Sequence, residues 1–80
     1  MDDLESDKIR EAFATVLRRK RHALKISQEE LAGRAGIAMR FVSLLECNKQ
    51  QPTLTTLWSL SRALGISFAE FTRDIEIEIK

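Results

Sequence analysis

The fold of this chain is decided by residues 27–48, which read SQEELAGRAGIAMRFVSLLECN. Ser27 and Glu30 have the Ser-x-x-Glu spacing of a capping box, which predicts that a helix begins directly after Ser27. Gly36 supplies the positive φ angle common at a helix end, and a second apolar helix face begins near Val42. Only about three or four residues remain for the turn between the two helices, which is typical of a helix-turn-helix.

The flanking sequence predicts further helices with apolar stripes. Ser6 can cap a first helix over about residues 7–22. A fourth helix should follow Pro52 and end at Gly65, and a fifth should follow Ser67, which again precedes a Glu by three residues. The expected core residues are Ile9, Phe13, Val16, Leu17, Leu24 and Ile26, then Leu54, Leu57, Leu60, Ala63 and Leu64, and finally Phe68 and Phe71. Trp58 should be a partly buried packing residue.

The last six residues, 75–80, alternate Ile with charged residues. This period of two indicates a short β-strand, which would need a partner strand, most simply from a second copy of the chain. Ile75 and Ile79 are also four residues apart, so the same segment could continue the fifth helix.

Length and composition narrow the class of protein. With 80 residues the chain forms one domain near the lower limit for a self-sufficient core, so a partner chain could complete it. A lone Cys47 without a Cys/His cluster predicts neither a disulfide framework nor a metal site, and a reducing cytoplasm fits best. We expect no membrane association, because no apolar run approaches the ~20 residues of a membrane span and the acidic N-terminus is unlike a signal peptide.

The charge is segregated along the chain although the net charge is only +1. Residues 8–62 contain eleven basic and four acidic side chains, and the two ends carry the compensating acids. This distribution is typical of a domain with one phosphate-facing surface, although a basic solvated helical surface would look the same. An enzyme is not expected, because His22 is the only histidine, it lies among cationic residues, and no glycine-rich phosphate loop or cofactor motif is present.

Between about Ala12 and Phe71, a set of residues and their spacing closely resemble the Cro/CI (XRE-like) family of phage and bacterial repressors. They are Leu17-Arg18-x-x-Arg21, Ser27-Gln28-Glu29-Glu30-Leu31-Ala32, Ala35-Gly36-Ile37, Val42-Ser43, Leu45-Glu46, Pro52-Thr53-Leu54, Leu57 and Ala63-Leu64-Gly65. The resemblance implies an all-α bundle of four or five helices, of the lambda-repressor-like type, that binds double-stranded operator DNA as a symmetric homodimer. Half-sites would then lie about one turn, ~34 Å, apart.

The resemblance also implies roles for individual residues. Gln28 matches a position that holds a DNA phosphate at a helix N-terminus, and Arg21 and Glu46 match an ion pair that orients the recognition helix. Lys49, and then Arg18, Lys25 and Arg34, are further candidates for phosphate contacts.

The recognition helix should span about residues 39–47, with Met39, Arg40, Ser43 and Leu44 facing the bases. Arg40 is the strongest reader, since its guanidinium can pair with guanine O6 and N7, although a phosphate contact is the alternative. Phe41 should pack inward.

Three positions depart from the family pattern. Ala38 lacks the hydroxyl of a helix cap, which should cost ~1 kcal/mol. Lys25 replaces a frequent Gly, so a left-handed conformation there would be strained. Asn48 replaces another Gly and is a mild change.

The expected organisation is an acidic extension over residues 1–7, the DNA-binding domain over 8–74, and a tail over 75–80 that forms the dimer contact together with Phe71. The function predicted is a transcriptional regulator of repressor type, or a small controller protein of a restriction–modification system. The alternative is a DNA-binding antitoxin whose tail binds a protein partner. No cofactor is expected.

Overall fold

The computed structural model describes residues 3–79, and within that range the chain forms five helices and no strand. They are α1 (Asp3–Ala23), α2 (Gln28–Ala35), α3 (Met39–Glu46), α4 (Leu54–Leu64) and α5 (Phe68–Glu78). Helix α1 packs against α3 and α5, while α2 packs against α3 and α4, and α4 also contacts α5. The predicted all-α bundle is therefore confirmed.

Side chains cap three of the helices where the sequence favours it. The hydroxyl of Ser27 accepts a hydrogen bond from the N–H of Glu30 at 3.0 Å, and Ser67 accepts one from Glu70 at the same distance. Thr53 caps α4 in the same way. The second half of the first capping box differs from the prediction, because the Glu30 carboxylate accepts a hydrogen bond from Arg34, one turn further along α2.

The core lies where α1, the helix-turn-helix and the last two helices meet. Its buried members are Ala12, Phe13, Val16, Leu17, Leu31, Ala32, Val42, Leu45, Leu60, Leu64, Phe71 and Ile75. Ile26, Phe41, Leu57 and Ala63 pack against them while partly exposed. Two predicted core residues are exposed instead: Leu24 by 44% in the turn after α1, and Leu54 by 74% at the first position of α4.

The first helix begins earlier than predicted. Ser6 lies inside α1, and its hydroxyl accepts a hydrogen bond from the Gln51 amide at 3.1 Å instead of capping the helix. The acidic side chains of Glu5 and Asp7 lie in the first turns of α1, where the positive end of the helix dipole stabilises them. Residues 3–7 are thus the beginning of α1.

Of the two alternatives for the C-terminal segment, the continued fifth helix is confirmed and the strand is wrong, because α5 continues to Glu78. Lys80 lies outside the described residues. Ile75 is only 8% exposed and belongs to the core, so the helical course of this segment buries apolar surface that an edge strand would leave in water. Ion pairs also hold α5 against α1, from Lys20 to Asp74 and Glu70 and from Arg19 to Glu78. Of the predicted dimer residues, Phe71 is fully buried, whereas Ile77 is 72% and Ile79 37% exposed.

Candidate nucleic-acid interface

The two helices of the motif are joined by a three-residue turn, Gly36-Ile37-Ala38. Gly36 has φ 72°, in the left-handed region that ends a helix, and the Ile37 N–H donates to the Ala32 carbonyl at 3.0 Å. Ala38 occupies the N-cap position of α3 and provides no side-chain hydrogen bond. Buried Val42 holds α3 against α2, so the opposite face of α3 is directed away from the core.

That outer face carries the predicted base-reading residues. Met39 is 51% exposed and Arg40 is exposed, whereas Ser43 and Leu44 are partly buried. Phe41 packs against the core, as predicted. The first turn of α3 is therefore its most accessible part.

Glu46, the last residue of α3, is 5% exposed and accepts hydrogen bonds from two other elements. Arg21 on α1 donates through Nε at 2.6 Å and through Nη2 at 2.9 Å, which is a bidentate ion pair. Gln28 on α2 donates its side-chain amide to the same carboxylate at 3.1 Å. A further Nη1–H of Arg21 is donated to the Ile26 carbonyl at 2.9 Å, so this arginine also fixes the turn before α2.

The pKa of Glu46 reflects this environment. Burial alone would raise the pKa of the carboxyl group, but the hydrogen bonds from Arg21 and Gln28 outweigh burial and hold it below its usual range. The hydrogen bond to Glu46 in turn raises the pKa of Arg21, against the effect of burial. Both groups are therefore charged at neutral pH, and the predicted ion pair is present.

Arg18, a predicted phosphate contact, also forms a hydrogen bond within the fold. Its Nη1 donates to the backbone carbonyl of Glu46 at 2.8 Å. The last carbonyls of a helix lack partners within the helix, and a cation at this end also opposes the helix dipole. Arg18 thus stabilises the C-terminal end of α3.

The loop after α3 is tied to the beginning of α1. Asn48 has φ 63°, and its side-chain oxygen accepts a hydrogen bond from Arg10 Nε at 2.9 Å. The Lys49 N–H donates to the Leu44 carbonyl at 2.9 Å, which closes the end of α3. The Arg10–Asn48 contact was not predicted, because the two residues are 38 positions apart and no sequence pattern indicates that this arginine and this asparagine are partners.

Half of the twelve Lys and Arg side chains within residues 3–79 form ion pairs. Arg34, a predicted phosphate contact, is one of them and is paired with Glu30 at 2.7 Å. Within residues 3–79, Lys25, Arg40 and Lys49 have neither an ion pair nor a side-chain hydrogen bond. They lie before α2, at the start of α3 and after α3. Lys8, on α1, is the unpaired lysine outside this region.

Lys25 has φ 58°, so the left-handed conformation expected at this position is present without a glycine.

The described part of the chain contains no group of three or more His, Cys, Asp or Glu side chains suited to a metal ion. None of its helices is long and apolar enough to cross a membrane.

A capped helix, a three-residue turn and a second helix that exposes its first turn beside unpaired cations define a helix-turn-helix DNA-binding protein. Residues 17–71 match the helix-turn-helix family, and the chain belongs to this family, in its Cro/CI (XRE-like) branch. It is a DNA-binding transcriptional regulator and not an enzyme.

Similar proteins are regulators. The chain is 38% identical over 52 residues to an uncharacterized HTH-type transcriptional regulator of Sinorhizobium fredii, covering 65% of this chain and 68% of the relative. The crystal structure of the clp gene regulator ClgR from Corynebacterium glutamicum superposes with a TM-score of 0.82 at 27% identity, over 89% of this chain and 76% of that one. The restriction-modification controller protein C.AhdI from Aeromonas hydrophila gives 0.74 at 31% identity, over 78% and 94%.

Proposed function

We propose that the chain binds a palindromic operator in double-stranded DNA as a homodimer and regulates transcription as a repressor or controller protein. The observation that supports this most directly is the position of Lys25, Arg40 and Lys49. These side chains have no acidic partner within residues 3–79, and they lie before α2, in the first turn of α3 and in the loop after α3. Cations that the fold leaves unneutralised are available to replace the counterions of DNA.

Base reading is assigned to the outer face of α3. Arg40 can donate two hydrogen bonds to guanine O6 and N7 in the major groove, a contact worth ~1–3 kcal/mol of discrimination. Met39 is exposed and apolar, which suits contact with a thymine methyl group. Ser43 and Leu44 are less exposed and contribute where a base edge approaches the helix closely.

Phosphate contacts are assigned first to Lys49 and Lys25. Gln28 is the next candidate, because it is the first residue of α2, and the first N–H groups of a helix have no partner within the helix. Its amide is hydrogen bonded to Glu46, so a phosphate would be held by the backbone N–H groups while the side chain remains on Glu46. Arg34 can contact a phosphate if its guanidinium binds the phosphate and Glu30 together. Arg18 can do so only with the guanidinium nitrogens that are not bonded to the Glu46 carbonyl.

The controller role is supported by the likeness to C.AhdI, which is a restriction-modification controller protein. A homodimer places two copies of α3 in successive major grooves, ~34 Å apart along the DNA. The operator therefore has two inverted half-sites at this spacing.

The test begins with selection of bound sequences from a random library of double-stranded DNA. Arg40→Ala should relax the sequence preference at one position of each half-site. Lys49→Ala should weaken binding to all sequences about equally and lower the slope of log affinity against log salt by ~0.9 per lost contact. Lys8→Ala, which removes the unpaired lysine outside the motif, is the matched control and should change neither quantity.

If Arg40→Ala weakens specific and random DNA by the same factor, the assignment of base reading to Arg40 is wrong. If the selection yields no preferred sequence for the wild type, the proposed operator binding fails altogether.

A further inference from the structure

The N-terminal part of α1, residues 3–16, precedes the stretch that matches the helix-turn-helix family. It nevertheless contacts the loop after the recognition helix at two points. Arg10 Nε donates to the Asn48 side-chain oxygen at 2.9 Å, and the Gln51 amide donates to the Ser6 hydroxyl at 3.1 Å. Ser6 and Arg10 are four residues apart, so both lie on one face of α1. That face of the helix is directed at the loop.

We propose that residues 3–16, which we call the α1 brace, hold this loop in the conformation that binds DNA, and that Arg10 positions Lys49 for its phosphate contact. The inference rests on the proposed function, in which Lys49 contacts the DNA backbone. Lys49 directly follows Asn48, so the hydrogen bond from α1 acts one residue away from the proposed contact.

The backbone of Asn48 suits this role. Its φ of 63° lies in the left-handed region, which Gly adopts without cost and Asn adopts more readily than most residues. Gly, which is frequent here in the family, would fit the turn after α3 but would offer Arg10 no acceptor. Asn48 therefore joins this turn to α1 in a way that a glycine cannot.

The guanidinium of Arg10 is already engaged within the fold. Its Nη2 donates to Asp7 at 2.8 Å, and these two residues form an ion pair one turn apart on α1. The Arg10 side chain is only 28% exposed. A cation held by a carboxylate and largely covered is less available to replace DNA counterions than the exposed Lys49. Arg10 is therefore better suited to positioning the loop than to contacting a phosphate itself.

Apolar packing fixes the loop only in part. A groove of about 280 Å³ lies beside it, and its lining includes Ile9 of α1 and Pro52 of the loop. Residues 49–51 are exposed. Because burial does not fix these residues, the attachment of the loop depends on its hydrogen bonds to α1 and to the end of α3.

Arg10→Met tests the α1 brace in the full chain. It keeps much of the aliphatic side chain but removes the hydrogen bond to Asn48. Affinity for the selected operator, measured by fluorescence anisotropy, should fall at least about fivefold, since a phosphate contact with a salt slope of ~0.9 contributes about eightfold per subunit between 1 M and 0.1 M salt. The salt slope should fall toward that of Lys49→Ala. A role confined to folding would leave the affinity and the salt slope of the folded protein unchanged.

Asn48→Gly removes the same hydrogen bond from the side of the loop. Gly adopts the φ of 63° more easily than Asn, which offsets the lost bond, so this variant should unfold at about the wild-type urea concentration. Its affinity for the operator should nevertheless fall as much as that of Arg10→Met. The double variant should bind no more weakly than either single variant, because both changes break one contact.

Lys8→Met is the matched control. Lys8 lies two residues before Arg10 and carries the same charge, but it lines a cleft beside Glu78, at the C-terminal end of α5. Its replacement should change neither the operator affinity nor the salt slope. In the Lys49→Ala background, Arg10→Met should cause no further loss of affinity, because the contact that it positions is already absent.

The outcomes separate this proposal from the proposed function. If Arg10→Met and Asn48→Gly bind the operator like the wild type while Lys49→Ala weakens binding, the α1 brace is overturned and the phosphate contact stands. If Arg10→Met still weakens binding in the Asn48→Gly or Lys49→Ala background, Arg10 does not act through the loop.

Equal losses for Lys8→Met and Arg10→Met would show an effect of net charge and would also overturn the brace. An unchanged affinity and salt slope for Lys49→Ala would instead remove the phosphate contact itself, which is a failure of the proposed function.

Discussion

Replacing Glu46 should destabilise the protein far more than loss of a surface ion pair would. The Glu46 side chain is 4% exposed, and the Arg21 side chain is 11% exposed. Glu46→Leu removes three hydrogen bonds and leaves the guanidinium of Arg21 largely buried without its counterion. Breaking such a pair costs about 3–5 kcal/mol, against ~0–1 kcal/mol for an exposed pair.

A cost near 3 kcal/mol is a large part of the total stability of an 80-residue domain, which is roughly 4–12 kcal/mol. The thermal midpoint should fall by roughly 12–24 °C, since each kcal/mol shifts it by ~4–8 °C at this size. Urea unfolding followed by circular dichroism gives the free energy directly.

A double-mutant cycle identifies the origin of the loss. Arg21→Met should be about as costly as Glu46→Leu, and the double variant should cost no more than either single change, because it buries no unpaired charge. The coupling energy should therefore reach at least ~2 kcal/mol. If the two single costs add, or if each is below ~1 kcal/mol, the reasoning from burial and hydrogen bonding is refuted.

The remaining predictions concern pH and the cap of α3. Because the pKa of Glu46 is lower in the folded protein than its ordinary value of 4.5, its contribution to stability is present above that value. This contribution is lost as the pH falls below 4.5 through the depressed pKa, so urea midpoints measured from pH 6 to pH 3 should fall less steeply for Glu46→Leu than for the wild type. Ala38→Ser should raise the free energy of unfolding by ~1 kcal/mol, since residue 38 already has the extended backbone of an N-cap, with φ −73° and ψ 143°. An unchanged urea midpoint for this variant would show that its hydroxyl fails to bond to the first turn.

Local signals predicted the helix-turn-helix well. Ser27, Gly36 and Ser67 each determine the backbone within a few residues, and the structure has the helix boundaries that they predict. The Arg21–Glu46 pair was predictable only through the family resemblance, because the two residues are 25 positions apart.

The errors occur where tertiary contacts override local preference. Ser6 is a good capping residue, but it lies inside α1 and contacts Gln51 from the loop after α3. The alternating Ile and Glu residues at the C-terminus favour a strand locally, yet packing of Ile75 into the core and the pairing of Glu78 with Arg19 favour a helix. Leu54 follows the helical spacing of its neighbours, but a residue at the first position of α4 lies too near the helix end to reach the core.

The side chains of α3 are divided between two tasks in a way that affects how the protein can evolve. Val42, Leu45 and Glu46 are buried, and a change at any of them affects folding. Met39 and Arg40 are exposed and contribute nothing to the core. With the base contacts proposed for these two positions, substitutions there would change the operator preference with little loss of stability, so descendants of one ancestral regulator could diverge in their target sites while keeping the same scaffold.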